Sequence, residues 1–381
     1  MANFNEIEKK VEQGERISDG EALLLYQYPD LHAMGRLAHT RCERKNGRRA
    51  SYVINRYLNY SNVCILSCQF CAFAKKKKEP EAFEYSLEEL TTQARQSLDA
   101  GITELHIVGG LHPSLPFEYY TEMLRELKKV GADLHLKAFT AIEILHLAQR
   151  IHKKPVQKTL EALRNAGLDS LTGGGAEILD AGVRDQICRG KESPEEWLDT
   201  HRTWHKMGGK STCTMLFGHI ETHQHRVDHL RQLRELQDET HGFSAFVPFA
   251  FEPEKTHLSH VPKASALEQI RNLAISRIYL DNFDHITAYW ISMGMPLAQI
   301  ALSYGADDLH GTIFDEKIFH MAGSKTPLQQ TRDDMEYLIR EAGKEPVQRD
   351  SWYQHLQVNG KCKPVAASAI VSQNANELLR V

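Results

Sequence analysis

A chain of 381 residues, 41% hydrophobic and 25% charged, has the composition of a globular protein that buries a large core, and this excludes intrinsic disorder. Its formal net charge is −4, with acidic and basic residues interspersed, so it lacks the concentrated basic face of a nucleic-acid binder. The first residues, MANFNEIEKKVEQGE, are charged with no apolar signal core, and no run of about 18 apolar residues follows, so a membrane span is not expected and a cytoplasmic protein is.

Residues 1–50 are expected to form an N-terminal helical extension, with EIEKKVEQ and DGEALLLYQY as short helices before a basic turn, KNGRR. A strand series then begins with SYVINRYLN at 51–59. It continues through TELHIVGG (103–110), LHLKAFTA (134–141), SLTGGG (170–175) and STCTMLFGH (211–219). FSAFVPFAF (243–251), HITAYW (285–290) and AQIALSYGA (298–306) complete eight candidates. Between them lie helical patterns with capping-box starts at Ser86 with Glu89, Ser193 with Pro194 and Glu196, and Ser265 with Glu268. Gly101, Gly131, Gly167 and Gly208 stand where those helices should stop. Strand, loop, helix and glycine stop repeating in this way predict βα units around a parallel sheet. Eight of them predict one closed (β/α)8 barrel of the TIM type over 51–325, followed by a C-terminal helical extension at 326–381. In such barrels chemistry is carried by loops at the C-terminal ends of the strands.

The loop after the first strand carries Cys64, Cys68 and Cys71, a C-x3-C-x2-C spacing, among seven cysteines of which Cys42, Cys188, Cys213 and Cys362 are scattered. Three clustered thiols do not form a disulfide framework; they suggest metal. A structural zinc site would need a second pair of Cys or His, and no such pair stands nearby. A [4Fe–4S] cluster normally takes four Cys ligands, so three in one loop leave one iron open to a substrate. A closed iron–sulfur electron carrier and a zinc-stabilised interaction module are the non-enzymatic alternatives.

This spacing resembles the signature of the radical S-adenosylmethionine superfamily, and the likeness extends beyond the cysteines. Phe70 occupies the aromatic position that packs on adenine. Val108, Gly109 and Gly110 stand where the superfamily often has G-G-E, with Leu111 at the third place leaving a backbone contact only. Thr214, Leu216, Gly218 and Glu221 resemble the G-x-I-x-G-x-x-E element that supports adenine. The resemblance implies that S-adenosylmethionine chelates the open iron through its amino and carboxylate groups. One electron from the reduced cluster would then break the C5′–S bond, giving methionine and a 5′-deoxyadenosyl radical.

Over about residues 50–340 the likeness narrows to the menaquinone-pathway group that holds aminodeoxyfutalosine synthase and dehypoxanthine futalosine cyclase. It is carried by Gly109 to Pro113, Ala166 to Ser170, Gly173 to Glu177, Phe217 to Glu221 and Leu233 to Thr240. The segment Lys137 to Glu143, and Gly305 to Gly311 with Glu316 and Lys317, look like the synthase branch, although Thr172 and His310 replace its usual proline and aspartate. That branch implies addition of the adenosyl radical to the enol ether of 3-[(1-carboxyvinyl)oxy]benzoate, with S-adenosylmethionine consumed. The cyclase, the nearest rival, would abstract hydrogen from a futalosine-derived nucleoside instead.

For this chemistry Arg56, His112 and His219 are the expected groups for the acceptor's two carboxylates. Phe70, Gly109, Gly110, Thr140, Gly174, Leu216 and Gly218 are expected beside S-adenosylmethionine. Glu143 and Glu177 are candidates either for ribose hydroxyls or for a paired network. The run Lys75 to Lys78, just after the cysteines, reads either as a solvated loop or as a docking patch for an acidic electron donor such as flavodoxin or ferredoxin.

Overall fold

A computed structural model describes residues 3–356. Three helices precede the first strand. They are α1 (Phe4–Glu12), capped reciprocally by Asn3 and Glu6, α2 (Asp19–Gln27), capped by Ser18 and Glu21, and α3 (Leu31–Asn46). The third was not expected from the sequence and is the longest of the three. It buries Met34, Leu37, Ala38, Arg41 and Cys42 at helical spacing, and it absorbs the first residues of the expected basic turn before ending at Gly47.

Ten strands follow: β1 (Arg49–Val53), β2 (Asn55–Leu58), β3 (Glu104–Ile107), β4 (His135–Ala138), β5 (Ser170–Leu171), β6 (Lys210–Phe217), β7 (Phe243–Ala250), β8 (His285–Ile286), β9 (Asp308–Gly311) and β10 (Glu345–Gln348). Strands β2 to β8 form one parallel sheet in sequence order, and β10, β1 and β9 form a second, also parallel. The sheets meet through parallel bridges from Thr287 to Asp308 and from Arg56 to Phe314, so β9 fills the gap between β8 and β2. The fold is the TIM-type α/β architecture read from the sequence.

One strand of that reading is wrong. AQIALSYGA at 298–306 belongs to the helix Met295–Ala301 and its C-terminal turn, and the eighth position is taken by the polar segment Asp308–Gly311. Ala298, Ala301 and Leu302 are buried at i, i+3, i+4 spacing, which is a helical period, and Pro296 sits in the first turn where its missing N–H costs nothing. The capping box expected at Ser265 forms only by half, because the Glu268 carboxylate turns to Arg226. After 325 the expected helical addition supplies one helix, Arg332–Glu341, and then β10, which pairs with β1; residues 357–381, with Cys362, lie outside the described residues. Among the described residues no helix is long and apolar enough to cross a membrane.

The outward residues of the strands, such as Leu105, Ile107 and Leu136, are fully buried under the helical layer with Met123, Leu124, Leu160 and Leu163. Cutting one such leucine to alanine costs about 2–5 kcal/mol. Inward residues alternate with them and are polar: Asn55 donates to Glu104 at 3.1 Å, and the ring of Tyr57 stacks on His106 at 4.4 Å.

Candidate active site

A cavity of about 280 Å³ runs from the barrel interior to the loops at the C-terminal ends of the strands. Cys64, Cys68 and Cys71 all line it, as free thiols. Their loop is held by its own backbone and by the residues flanking it. Ser61 Oγ accepts from the Val63 N–H at 3.0 Å and donates to the Phe83 carbonyl, while Asn62 exchanges hydrogen bonds with Glu81 and Phe83. The Ile65 N–H reaches the Leu111 carbonyl at 3.1 Å, and the Gln69 N–H reaches that of Ile187 at 2.7 Å. Lys76 folds back over the loop, and its ammonium donates to the carbonyls of Cys64, Ile65 and Leu66 at 3.0, 3.2 and 2.9 Å.

Burial pushes the Cys68 and Cys71 thiols up, with Lys191 opposing this at both. A polycationic iron cluster would reverse that balance, so the donor set fits one. Among the described residues no three His, Cys, Asp or Glu side chains converge on a point the size of a single metal ion. A cubane needs no such convergence, since each iron takes its own thiolate.

The glycines beside the loop are demanded by contact. A Cβ at Gly110 would lie 2.4 Å from the Val63 carbonyl oxygen, and one at Gly109 would enter the ring of Tyr60. At Gly173 it would meet the Cys213 backbone at 2.5 Å, so this glycine serves the packing of β5 on β6, while at Gly174 it would meet only the Thr140 methyl, at 3.0 Å.

Of the expected cofactor-binding residues, Phe70, Gly109, Gly110, Thr140, Glu143, Gly174, Glu177 and Leu216 line the cavity together. Glu143 is the paired network rather than a free ligand. It accepts from Tyr60 Oη at 2.7 Å, the Gly109 N–H at 3.0 Å, and the N–H and Oγ1 of Thr140 at 2.8 and 2.7 Å, tying the ends of β2, β3 and β4 together. That fills a carboxylate's acceptor capacity. Glu177 forms a buried ion pair with Lys191, whose ammonium lies 5.5 Å from the centre of the Phe70 ring. Gly218 is not part of the lining. Its φ of +86° forms a turn whose N–H donates to Glu221 at 2.6 Å.

The three residues expected to take the acceptor's carboxylates all lie off the cavity. Arg56 alternates with inward Tyr57 and so points outward, donating to Ser97 Oγ at 2.7 Å with Asp315 at 3.6 Å. His112 Nδ1 accepts from the N–H groups of Ser114 and Leu115, and its Nε2 lies 2.7 Å from Glu84. His219 Nε2 bonds the Leu216 carbonyl at 3.0 Å, and its Nδ1 accepts from the Ile220 N–H at 2.7 Å. Sequence reading missed the inward side chains of Tyr57, His106, Tyr289 and His310, which do line the cavity.

A parallel α/β barrel with three thiols in the loop after β2 defines a class, and the comparisons agree: the chain belongs to the radical S-adenosylmethionine superfamily. The superfamily model matches residues 58–233, and a model described as the CofH/MqnC C-terminal region matches 240–362. Members of this superfamily work with a [4Fe–4S] cluster and S-adenosylmethionine. More particularly, the chain is 42% identical to the aminodeoxyfutalosine synthase of Thermus thermophilus, covering 92% of this chain and 95% of that protein. It is 38% identical to the cyclic dehypoxanthine futalosine synthase of Streptomyces coelicolor, covering 94% and 90%. Among solved structures, methylornithine synthase (PylB) superposes with a TM-score of 0.70 at 16% identity, covering 89% of this chain and 97% of that one, which is a likeness of fold.

Proposed function

We propose that this chain is a radical S-adenosylmethionine transferase of menaquinone biosynthesis, adding the 5′-deoxyadenosyl unit to the enol ether of 3-[(1-carboxyvinyl)oxy]benzoate, with rearrangement and loss of the enol-ether carboxyl as carbon dioxide, to give aminodeoxyfutalosine. The observation that carries this is the 42% identity to a synthase over almost the whole chain, against 38% to the cyclase. The cavity agrees in kind: it is walled in part by aromatic rings and has three thiols at its mouth.

Cys64, Cys68 and Cys71 would hold the cluster, which when bound supplies the electron that cleaves S-adenosylmethionine. The backbone at Gly109 and Gly110, the latter pressed against the cysteine loop, offers carbonyl oxygens to the methionine ammonium, its N–H groups being spent on Glu143 and the Ser61 carbonyl. Phe70 and Leu216 present apolar surface for adenine. Glu143 positions three strand ends rather than touching the substrate, and the Lys191–Glu177 pair supplies a neutralised polar wall. The chain's own task is then orientation and water exclusion, since C–C bond formation by radical addition asks for little acid or base.

The electron would come from a small carrier of acidic character. The lysine run supports this only in part. Lys75 pairs with Glu81 at 2.5 Å and Lys76 is spent on the cysteine loop, so Lys77 and Lys78 remain to face a donor.

Product analysis tests the assignment. The expected result is a covalent adenosyl–benzoate product with one methionine released per turnover. Free 5′-deoxyadenosine with a cyclised nucleoside would replace this reading by the cyclase.

A further inference from the structure

The polar side chains around the cavity divide sharply by whether they have partners. Its carboxylates are all engaged: Glu143 by four donors, Glu177 by Lys191, Glu252 by Lys263, and Glu316 by the N–H groups of Phe319 and His320 and the ring of His320. The hydroxyl of Thr172 is spent on the Phe139 carbonyl and that of Thr214 on the Gly173 carbonyl, while Thr212 Oγ1 takes the Gly173 N–H. At the floor, by contrast, His106 and His310 make no side-chain hydrogen bond among the described residues, and the Nδ1 of each is buried without a partner. His310 is only 5% exposed. An unmade hydrogen bond inside a protein costs about 1–3 kcal/mol, and while the Nδ1 atoms are sealed off, the Nε2 atoms, also without partners among the described residues, are the ones a ligand can reach.

A cation lies close beneath them. Lys137 is the register partner of His106 on the neighbouring strand and is buried, with the Glu104 carboxylate 3.8 Å away. Glu104 itself is held by Asn55 and Ser351, and Asp308 by Arg349, Ser51 and Thr287. The acids of this floor are therefore satisfied by other donors, while the Lys137 ammonium makes no hydrogen bond among the described residues. Burial, reinforced by Lys137, pushes both imidazoles down to about 3, so at neutral pH each is an uncharged ring with one N–H to give. Around them stand flat aromatic walls: Tyr57 stacks on His106 at 4.4 Å, and Tyr289 lies edge-on to His310 at 5.2 Å.

We infer that His106 and His310, with the Lys137 charge behind them and outside the cavity lining, form the anchor for the ring carboxylate of the benzoate, with the arene along the aromatic wall of Tyr57 and Tyr289, whose hydroxyls lie 3.4 Å apart. This rests on the function proposed above. Two neutral N–H donors with an ammonium behind them match the two oxygens and single charge of a carboxylate, and the wall beside them is aromatic. The orientation follows from the reaction. The enol ether must face the mouth, where the cysteine loop lies, and the meta carboxylate then projects to the floor. Among the described residues, the cation that lines the cavity, Lys191, does not compete for it, because it is already paired with Glu177.

Equilibrium dialysis under anaerobic conditions tests this on the reconstituted holoenzyme with S-adenosylmethionine and no reductant. The probes are 3-[(1-carboxyvinyl)oxy]benzoate and its analogue lacking only the ring carboxylate. The wild type is expected to prefer the benzoate. Lys137→Met and His310→Leu should each weaken the benzoate by about ten- to hundredfold and leave the analogue unchanged, as loss of a charged hydrogen bond requires. His310→Gln, which keeps a donor, should restore most of the preference, and retention of S-adenosylmethionine should not move in any variant. Because Lys137→Met leaves Glu104 without its cation, the double variant Glu104→Gln/Lys137→Met provides the same test with a neutral floor. If the variants keep the wild-type preference, or lose both probes equally, the anchor is elsewhere. If the wild type binds and converts the benzoate while this happens, the proposed function stands and only the anchor falls; if it binds neither probe, both fall.

Discussion

At its mouth the cavity is made of backbone, glycines and three thiols drawn from one short stretch of chain; at its floor it is made of side chains from β2, β3 and β9, with Lys137 of β4 behind them, which the barrel brings together across some 250 residues of sequence. The mouth is specified locally. Its loop is closed largely by hydrogen bonds within residues 61–83, with longer ties to Leu111 and Ile187, and its glycines are set by contacts that no side chain could share. The floor is specified by topology, and each of its groups is an ordinary strand residue until the ring closes. Damage at the mouth should therefore be all-or-none, and damage at the floor graded and specific to ligand or pH.

The largest effect separates these at once. Cys68→Ala is expected to abolish turnover and to lower bound iron, because two thiolates cannot hold a cubane with one defined open iron. Cys213→Ala, which removes a buried sulfur whose partner is the Ala245 carbonyl, should keep both iron and turnover at a stability cost of about 1 kcal/mol. Iron and sulfide content with single-turnover assays would check this, and normal iron in Cys68→Ala would remove the cluster from this loop.

Next in size is a pair of glycines only one loop apart in function. Gly110→Ala puts a methyl 2.4 Å from a backbone oxygen that cannot move aside, so it should displace the cysteine loop at a cost of about 1–3 kcal/mol and reduce iron retention. Gly174→Ala meets a single methyl of Thr140 at 3.0 Å and should be far milder in melting temperature and iron content. Equal effects from the two would mean that the mouth is not held by this contact.

The floor differs from the mouth in its response to acid. His106 and His310 are held at about 3 when folded, against about 6.5 in an unfolded chain, so below 6.5 the unfolded chain takes up protons that the folded one refuses. Their contribution is full above about pH 6.5 and declines as pH falls toward 3, at about 1.4 kcal/mol per unit for each ring. His320, near the mouth, is raised by its hydrogen bond to Glu316, so its contribution has the opposite sign, full below the unfolded value and lost as pH rises through the folded one. Thermal melts between about pH 7.5 and 5.5 should show falling stability, with His310→Asn flattening the slope by roughly one proton. An unchanged slope in that variant would mean that His310 already binds its proton in the folded state.

The same division explains what could be read from sequence. Three cysteines within eight positions, a glycine pair at a strand end and capping boxes are local, and they placed the mouth and most of the barrel. Arg56, His112 and His219 were chosen by residue type without strand face or local pairing, and the structure places all three off the cavity. Arg56 is one position out of phase with Tyr57, and both histidines are consumed by turns of their own loops. The signal for the floor was present in TELHI, where Leu105 and Ile107 alternate with Glu104 and His106. In a barrel both faces of a strand are buried, so a polar alternation points into the interior. The polar β9 was passed over for an apolar segment nearby by the same neglect, and α3 was missed because Gly35, Thr40 and several charges interrupt its apolar stripe.

The smallest expected effect lies on the rim, where the lysine run can be dissected one residue at a time. Lys76 places its ammonium within 3.2 Å of three carbonyls of the cysteine loop, which neutralises the partial charges of backbone groups turned toward it. Lys78 is exposed, and Lys77 lies 3.9 Å from Glu84. If the run served only to draw an acidic donor, Lys76→Met and Lys78→Glu would act alike: each would slow turnover driven by flavodoxin, less so at high salt, and neither would touch turnover driven by dithionite. The geometry predicts that they part. Lys76→Met should lose iron faster on dilution and slow both reactions a few-fold, since three hydrogen bonds worth about 1.5–3 kcal/mol each to a charged donor are partly replaced by water at this exposed position. Lys78→Glu should leave iron and dithionite kinetics alone and slow only the flavodoxin reaction, modestly, because a single charge alters steering by little once salt screens it beyond about 8 Å. Identical behaviour of the two variants with both reductants would return Lys76 to the solvated face and leave the loop to be held by its backbone alone.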